Sequence, residues 1–206
     1  MKKILCLGDS NTYGFNPLNG ARYNAQTRWT GVLKTLLSER CEIVEAGCNN
    51  RTCFVDNPAG IEQTGVKTVS KYLSQELFGV IFALGINDLQ KFFDVTLEDF
   101  ENGLENLVNI VKNNSSKVKI LLVCPSRLTK DVLSGAFAFQ FDEKSIEKSM
   151  RLPEIYRHVA VKTNSYLLDL NDVAQVSEAD GLHYMPEEHE KIAQGFYRFL
   201  CENWLT

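Results

Sequence analysis

The chain alternates between short apolar runs and longer amphipathic stretches. Runs of strand length lie at Lys3–Leu7, Glu42–Glu45, Phe78–Leu84, Val118–Val123 and Tyr166–Asp169. In GVIFALG and VKILLVC the apolar residues follow one another instead of alternating. Such runs suit strands covered on both faces, as in a parallel sheet. Between them, Thr30–Glu39 has apolar residues at 32, 33, 36 and 37, and Thr96–Asn113 has them at 97, 100, 104, 107, 108 and 111. That is the stripe of a helix with one buried face. Thr96 and Asp99 have the spacing of a capping box, with Asp where Glu or Gln is usual. Glu143–Asn164 also reads as helical, but Pro153 predicts a kink or a break inside it. Pro186 suits the first turn of the last helix, with Glu187 and Glu188 at its positive end.

Strand and helix in turn predict an α/β fold with right-handed crossovers. The expected architecture is three-layered and flavodoxin-like, with a five-stranded parallel sheet. No repeat, low-complexity segment or linker divides the chain, so one domain over 1–206 is expected. In open sheets of this kind ligands bind beyond the carboxyl ends of the strands. That rule directs attention to Gly8–Asn16, Ala46–Asn57, Gly85–Phe93, Cys124–Phe141 and Asn171–His183.

Composition narrows the field. The 206 residues are 44% hydrophobic and 23% charged, ordinary for a globular protein with ample material for a core. A net charge of −4 with no basic stripe argues against a nucleic-acid partner. The apolar runs are too short to span a bilayer, so no membrane partner is expected. Two lysines and a short apolar run mimic the start of a signal peptide, but Gly8-Asp9 interrupts it too soon and no small-residue cleavage site follows. A cytoplasmic location is therefore expected. The six cysteines (6, 41, 48, 53, 124, 201) form no C-x-x-C and no Cys/His cluster at metal spacing. Inert, mostly buried thiols are the default reading, Cys48 and Cys53 included. Neither a metal nor a cofactor is indicated.

The loops carry GDSNTYG, EAGCNNRT, ALGINDLQ and ADGLHY. Asp180 and His183 are three residues apart in a glycine-containing turn. At that spacing the carboxylate can hold Nδ1–H and leave Nε2 free to accept a proton. A hydroxyl nucleophile needs such a base. Alone, a plain Asp-Gly turn with an exposed His is the simpler reading. His189 reads as a core histidine three residues before Ile192, and His158 lies off its segment's apolar stripe and faces solvent. Neither has an acid placed as Asp180 is. Gly47, Asn87 and the Ser10 N–H could each supply a donor to a developing oxyanion. Taken singly, each is equally a turn residue or a helix start. Ser10 by itself fits a cap, a phosphate-cradling loop or a nucleophile.

Together, GDSNTYG, Gly47 in EAGCNNRT, GIND and DGLH resemble the four sequence blocks of the GDSL-type esterases, or SGNH hydrolases, in the family's order and across essentially the whole chain. RWTGVL and GCNNRT are more narrowly similar to the arylesterase and perhydrolase branch, which acts on small acyl esters and transfers acyl groups. The resemblance implies Ser10 as nucleophile, His183 as general base and then acid, and Asp180 as its orienter. It implies an oxyanion hole of Ser10 N–H, Gly47 N–H and the Asn87 side chain. Asp9 would fix the Ser10 turn. Asn11 stands where the family name has leucine, which bears on the acyl pocket; Asn11, Thr12, Tyr13 and Phe139 are the candidate pocket residues. The long stretch 125–143 contains GAFAFQF, read either as a binding or oligomer surface or as a strand-like segment packed on its own core. Branch resemblance implies a homo-oligomer.

The expected function is a serine esterase that hydrolyses short-chain acyl esters, aryl or acetylated-sugar, through an acyl-enzyme, with acyl transfer as a further possibility. The alternatives are a lysophospholipase or thioesterase, and a non-enzymatic flavodoxin-like binding module. The last has no need for Asp180, His183 or Asn87, and neither a Walker loop nor G-x-G-x-x-G is present.

Overall fold

A computed structural model describes all 206 residues. Five strands, β1 (Lys2–Gly8), β2 (Cys41–Gly47), β3 (Gly79–Ala83), β4 (Lys119–Cys124) and β5 (Tyr166–Asp169), form one parallel sheet in the order β2-β1-β3-β4-β5. The helices are α1 (Ser10–Tyr13), α2 (Trp29–Leu36), α3 (Gly65–Thr68), α4 (Leu97–Asn114), α5 (Glu143–Lys162) and α6 (Pro186–Asn203).

The unbroken apolar strands follow from burial on both faces. Leu5, Leu7, Val80, Phe82, Ile120 and Leu122 point into one core, with Phe100, Leu104 and Val108 of α4 and Leu152 and Tyr156 of α5. Ile4, Cys6, Ile81, Leu121 and Val123 point into the other, with Trp29 and Leu33 of α2 and Phe196 and Leu200 of α6. The fold is thus the three-layer, flavodoxin-like α/β arrangement. Each fully buried side chain of this size contributes about 1.5–3 kcal/mol.

The capping box is present: Thr96 Oγ1 accepts from the Asp99 N–H and Asp99 Oδ2 accepts from the Thr96 N–H, each at 3.0 Å. Of the kink or break expected at Pro153, the break does not occur. α5 runs through Pro153 as one helix, its buried face of Leu152, Ile155, Tyr156 and Val159 held against the sheet. Tertiary packing outweighs the lost backbone bond. The Phe-rich stretch is neither strand nor open loop; it follows a 3₁₀ turn at Lys130–Leu133 as a series of tight turns. No helix is long and apolar enough to cross a membrane.

β1 lies between β2 and β3, with Gly8 level with both Gly47 and Ala83. The chain leaves β1 toward β2 on one side, and β3 returns on the other. This is the switch point at which the loops after β1, β2 and β3 diverge and leave a crevice.

Candidate active site

Ser10 is the first residue of α1, a helix of four residues directly after β1. Asp9 caps it, its side chain accepting from the Asn11 N–H at 2.9 Å. Burial pushes the Asp9 carboxyl up to about 7, against the opposing pull of that N–H and of the Arg51 guanidinium. Arg51 is itself buried, and its Nη1 donates to the carbonyls of Gly8 and Ala46, tying the ends of β1 and β2 together.

The DGLH turn arrives from the opposite end of the sheet. Gly181 adopts φ +68°, a left-handed conformation open to glycine, and the turn folds His183 back over Asp180. Asp180 Oδ1 accepts from the N–H groups of Leu182 (3.0 Å) and His183 (2.9 Å). Asp180 Oδ2 lies 2.6 Å from His183 Nδ1, and His183 Nε2 lies 2.8 Å from Ser10 Oγ. Burial raises the Asp180 carboxyl, but the hydrogen bond and charge of His183 and the two N–H donors outweigh it, so Asp180 titrates below its ordinary value. Phe15 and Phe137 flank the imidazole, with ring centroids at 4.4 and 5.0 Å, and His183 is only 1% exposed.

Asn87 lies on a 3₁₀ turn, Ile86–Leu89, after β3. One N–H of its Nδ2 is used on the Arg51 carbonyl at 3.1 Å, which leaves the other available. The neighbouring Asp88 is fully buried and accepts from the N–H groups of Cys53 (2.6 Å), Phe54 (3.0 Å) and Val55 (3.1 Å). It pins the loop after β2 onto this turn. Burial raises its carboxyl to about 6 despite those three donors.

These elements line an open cleft with room of about 80 Å³, formed by Ser10, Phe15, Asn49, Asn50, Asn87, Phe137, Gln140, Leu182 and His183. Ser10, Asp180, His183 and Asn87 therefore meet at one place. Gly47 does not. The Cys48 N–H reaches back to the Gly8 carbonyl at 3.1 Å, so the preceding N–H, that of Gly47, faces the open edge of the sheet. A Cβ on Gly47 would lie 2.2 Å from the Tyr13 nitrogen. Glycine is there because α1 crosses directly over it. Asn49 and Asn50 line the cleft from this loop, and Asn50, at φ +62°, has an N–H with no protein acceptor.

The other pocket expectations are also corrected. Asn11 and Thr12 face a separate interior pocket with Trp29, Tyr184 and Phe196. Tyr13 turns outward, where the Arg22 guanidinium stacks on its ring at 4.5 Å. Phe139 is 61% exposed and outside the cleft, whereas Phe137 lines it. Asn50 and Phe15 escaped notice in the sequence, although each lies within a stretch singled out there, and Phe137 stood out only as one of the phenylalanines of GAFAFQF. His189 is fully buried and accepts from the Trp29 N–H at 3.3 Å, while His158 is exposed beside Glu101. All six cysteines are free. No group of three or more His, Cys, Asp or Glu is placed to hold a metal.

A sequence model of the GDSL-like lipase/acylhydrolase family matches residues 6–190. The chain belongs to that family. As a GDSL-family member it is a carboxylic ester hydrolase, and its serine, histidine and aspartate are arranged compatibly with that class. This GDSL hydrolase is similar to a carbohydrate acetylesterase family member from Sinorhizobium meliloti, at 28% identity over 98% of each chain with a TM-score of 0.89. It is similar to the native aryl esterase of M. smegmatis at 27% identity over 100% of each chain, with a TM-score of 0.89. A search of curated proteins gave no match.

Proposed function

We propose that the protein hydrolyses short-chain acyl esters through an acyl-enzyme on Ser10. The observation that carries this reading is the buried chain Ser10 Oγ, His183 Nε2, His183 Nδ1, Asp180 Oδ2, with contacts of 2.8 and 2.6 Å. In the first step His183 Nε2 takes the Ser10 proton as Oγ attacks the ester carbonyl. Asp180 holds the Nδ1–H and balances the imidazolium. The carbonyl oxygen becomes an oxyanion, received by the Ser10 N–H, the free N–H of Asn87 and the Asn50 N–H. The Ser10 N–H lies in the first turn of α1 and has no intrahelical partner. Collapse breaks the bond to the alkoxy oxygen, and His183 returns its proton to the departing alcohol. Water then gives a proton to His183 as it attacks the acyl-serine; collapse breaks the bond from the acyl carbon to Ser10 Oγ, His183 returns the proton to that oxygen, and the acid leaves. An alcohol or a peroxide in place of that water would give acyl transfer.

Short acyl groups fit the size of the cleft and the two phenyl rings that close on the base. The carboxamides of Asn49, Asn50 and Gln140 suit a hydroxylated alcohol, and Phe15 and Phe137 suit an aromatic or sugar-ring face. The acetylesterase and aryl esterase neighbours support the same two alcohol classes. A homo-oligomer is supported by the 60% and 61% exposure of Phe92 and Phe139, on segments joined by the bond from the Lys91 N–H to the Gln140 carbonyl. Six unpaired cysteines favour a reducing, cytoplasmic setting.

Ser10→Ala tests the reading on p-nitrophenyl acetate and on acetylated saccharides. Turnover should fall by roughly three or more orders of magnitude, with only residual catalysis left. Activity that survives the change would remove Ser10 as nucleophile.

A further inference from the structure

Two walls of the cleft are held by one side chain that does not itself line it. Gln90 follows the turn that carries Asn87 and is 3% exposed. Its Nε2 donates to Asn87 Oδ1 at 3.1 Å and to Asn50 Oδ1 at 2.6 Å. A carboxamide nitrogen has two N–H groups, so both are committed.

The first bond decides which way the Asn87 amide points. Asn87 Nδ2 donates to the Arg51 carbonyl while Asn87 Oδ1 accepts from Gln90. A flipped amide would set N–H against N–H at Gln90 and oxygen against oxygen at Arg51, between two side chains each 3% exposed. The second bond acts on Asn50. That residue keeps a left-handed backbone that a side chain rarely adopts. Its carbonyl accepts from Asn57 Nδ2 at 2.8 Å and its side chain from Gln90. Held at both ends, it lines the cleft with an N–H that has no protein acceptor.

We propose that Gln90 is the positioning residue of the oxyanion site, fixing the Asn87 amide and the Asn50 backbone as one unit. This inference rests on the esterase reading above. It predicts an effect on the transition state, where the oxyanion exists, and little on substrate binding.

The test measures p-nitrophenyl acetate kinetics for the wild type, Ser10→Ala, Gln90→Met, Gln90→Glu, Asn87→Ala and the double variant Asn87→Ala/Gln90→Met. Gln90→Met keeps the length and removes both donors. Its kcat should fall about 10- to 100-fold, with KM within about twofold. Gln90→Glu keeps the shape but faces two carbonyl oxygens with a carboxylate, so its kcat should fall at least as far. In the Asn87→Ala background the Met substitution should cost less than it does alone, because part of its effect runs through Asn87. A wild-type kcat in Gln90→Met, a loss confined to KM, or losses that multiply fully in the double variant would overturn the proposal. Should either Gln90 variant fail to fold, amide exchange in the wild type decides: both Gln90 Nε2 protons should be protected, and one exchanging as freely as an exposed amide refutes the bridge. Hydrolysis that survives Ser10→Ala sinks the esterase reading itself. Hydrolysis lost in Ser10→Ala but normal in Gln90→Met sinks only the role of Gln90.

Discussion

Replacing Gly47 with alanine separates two roles for that residue. Alanine keeps the backbone N–H, so a glycine that served only as an oxyanion donor would tolerate the change with near-normal turnover. The structure assigns the position a steric role instead. The new Cβ would lie 2.2 Å from the Tyr13 nitrogen, 2.5 Å from the Thr12 carbonyl carbon and 2.6 Å from the Tyr13 Cα. All three are backbone atoms, so no rotamer change relieves the overlap. To reach even 3.0 Å the Tyr13 nitrogen must retreat by about 0.8 Å, and the four-residue α1 moves with it. α1 begins at Ser10, whose Oγ sits 2.8 Å from its base. A displacement near 1 Å at reacting groups costs about 10²-fold in rate, and overpacking of this kind costs about 1–3 kcal/mol. Gly47→Ala should therefore lose both turnover on p-nitrophenyl acetate and stability in urea unfolding. A Gly47→Ala enzyme with wild-type kcat and an unchanged urea midpoint would refute the steric account.

Other outcomes follow from the same geometry. Asn87→Ala should lower kcat by about 10²–10³ with a smaller change in KM, because it removes a donor that the proposed oxyanion site uses mainly in the transition state; an unchanged kcat would exclude Asn87 from that site. His189 gives a pH signature. Burial, with a contribution from His183, holds its imidazole down to about 4, so the folded protein keeps it neutral. The unfolded chain takes up that proton first as pH falls, so stability present at neutral pH is lost between about 6.5 and 4, on the order of 3 kcal/mol in total. His189→Gln should show a shallower loss of unfolding free energy than the wild type over that window. Asp9 and Asp88 titrate identically in both proteins and drop out of the comparison. Parallel pH curves would contradict the buried neutral imidazole.

What could be read in the chain depended on how local the cause was. The strands were visible because burial on both faces leaves an unbroken apolar run, as in Lys119–Cys124. The Thr96 cap was visible because its partners are three residues apart. Asp180 and His183 could be paired by spacing, while Ser10 and Asn87 needed the family resemblance to join them. The misplacements share a different cause. Whether Gly47 or Asn50 faces the cleft depends on strand register and on one left-handed residue, neither of which leaves a period in the sequence. Asn11, Thr12 and Tyr13 turn away because α1 sets their direction, and a four-residue helix is too short to show a stripe. Phe137 and Phe139 exchange roles through tight turns that a period of two cannot describe. Pro153 was overruled by packing that only the assembled core supplies.

The two phenyl rings beside His183 have a consequence for the proposed cycle that their apolar character conceals. A neutral imidazole gains little from an aromatic face, but an imidazolium is drawn to its negative quadrupole. With centroids at 4.4 and 5.0 Å, Phe15 and Phe137 both lie within range of that attraction, worth about 0.5–2 kcal/mol for a cation largely withdrawn from water. The attraction switches on only when the base has taken the serine or water proton. The rings thus discriminate between resting and activated enzyme, and they hold a charged imidazolium in place while each tetrahedral species forms.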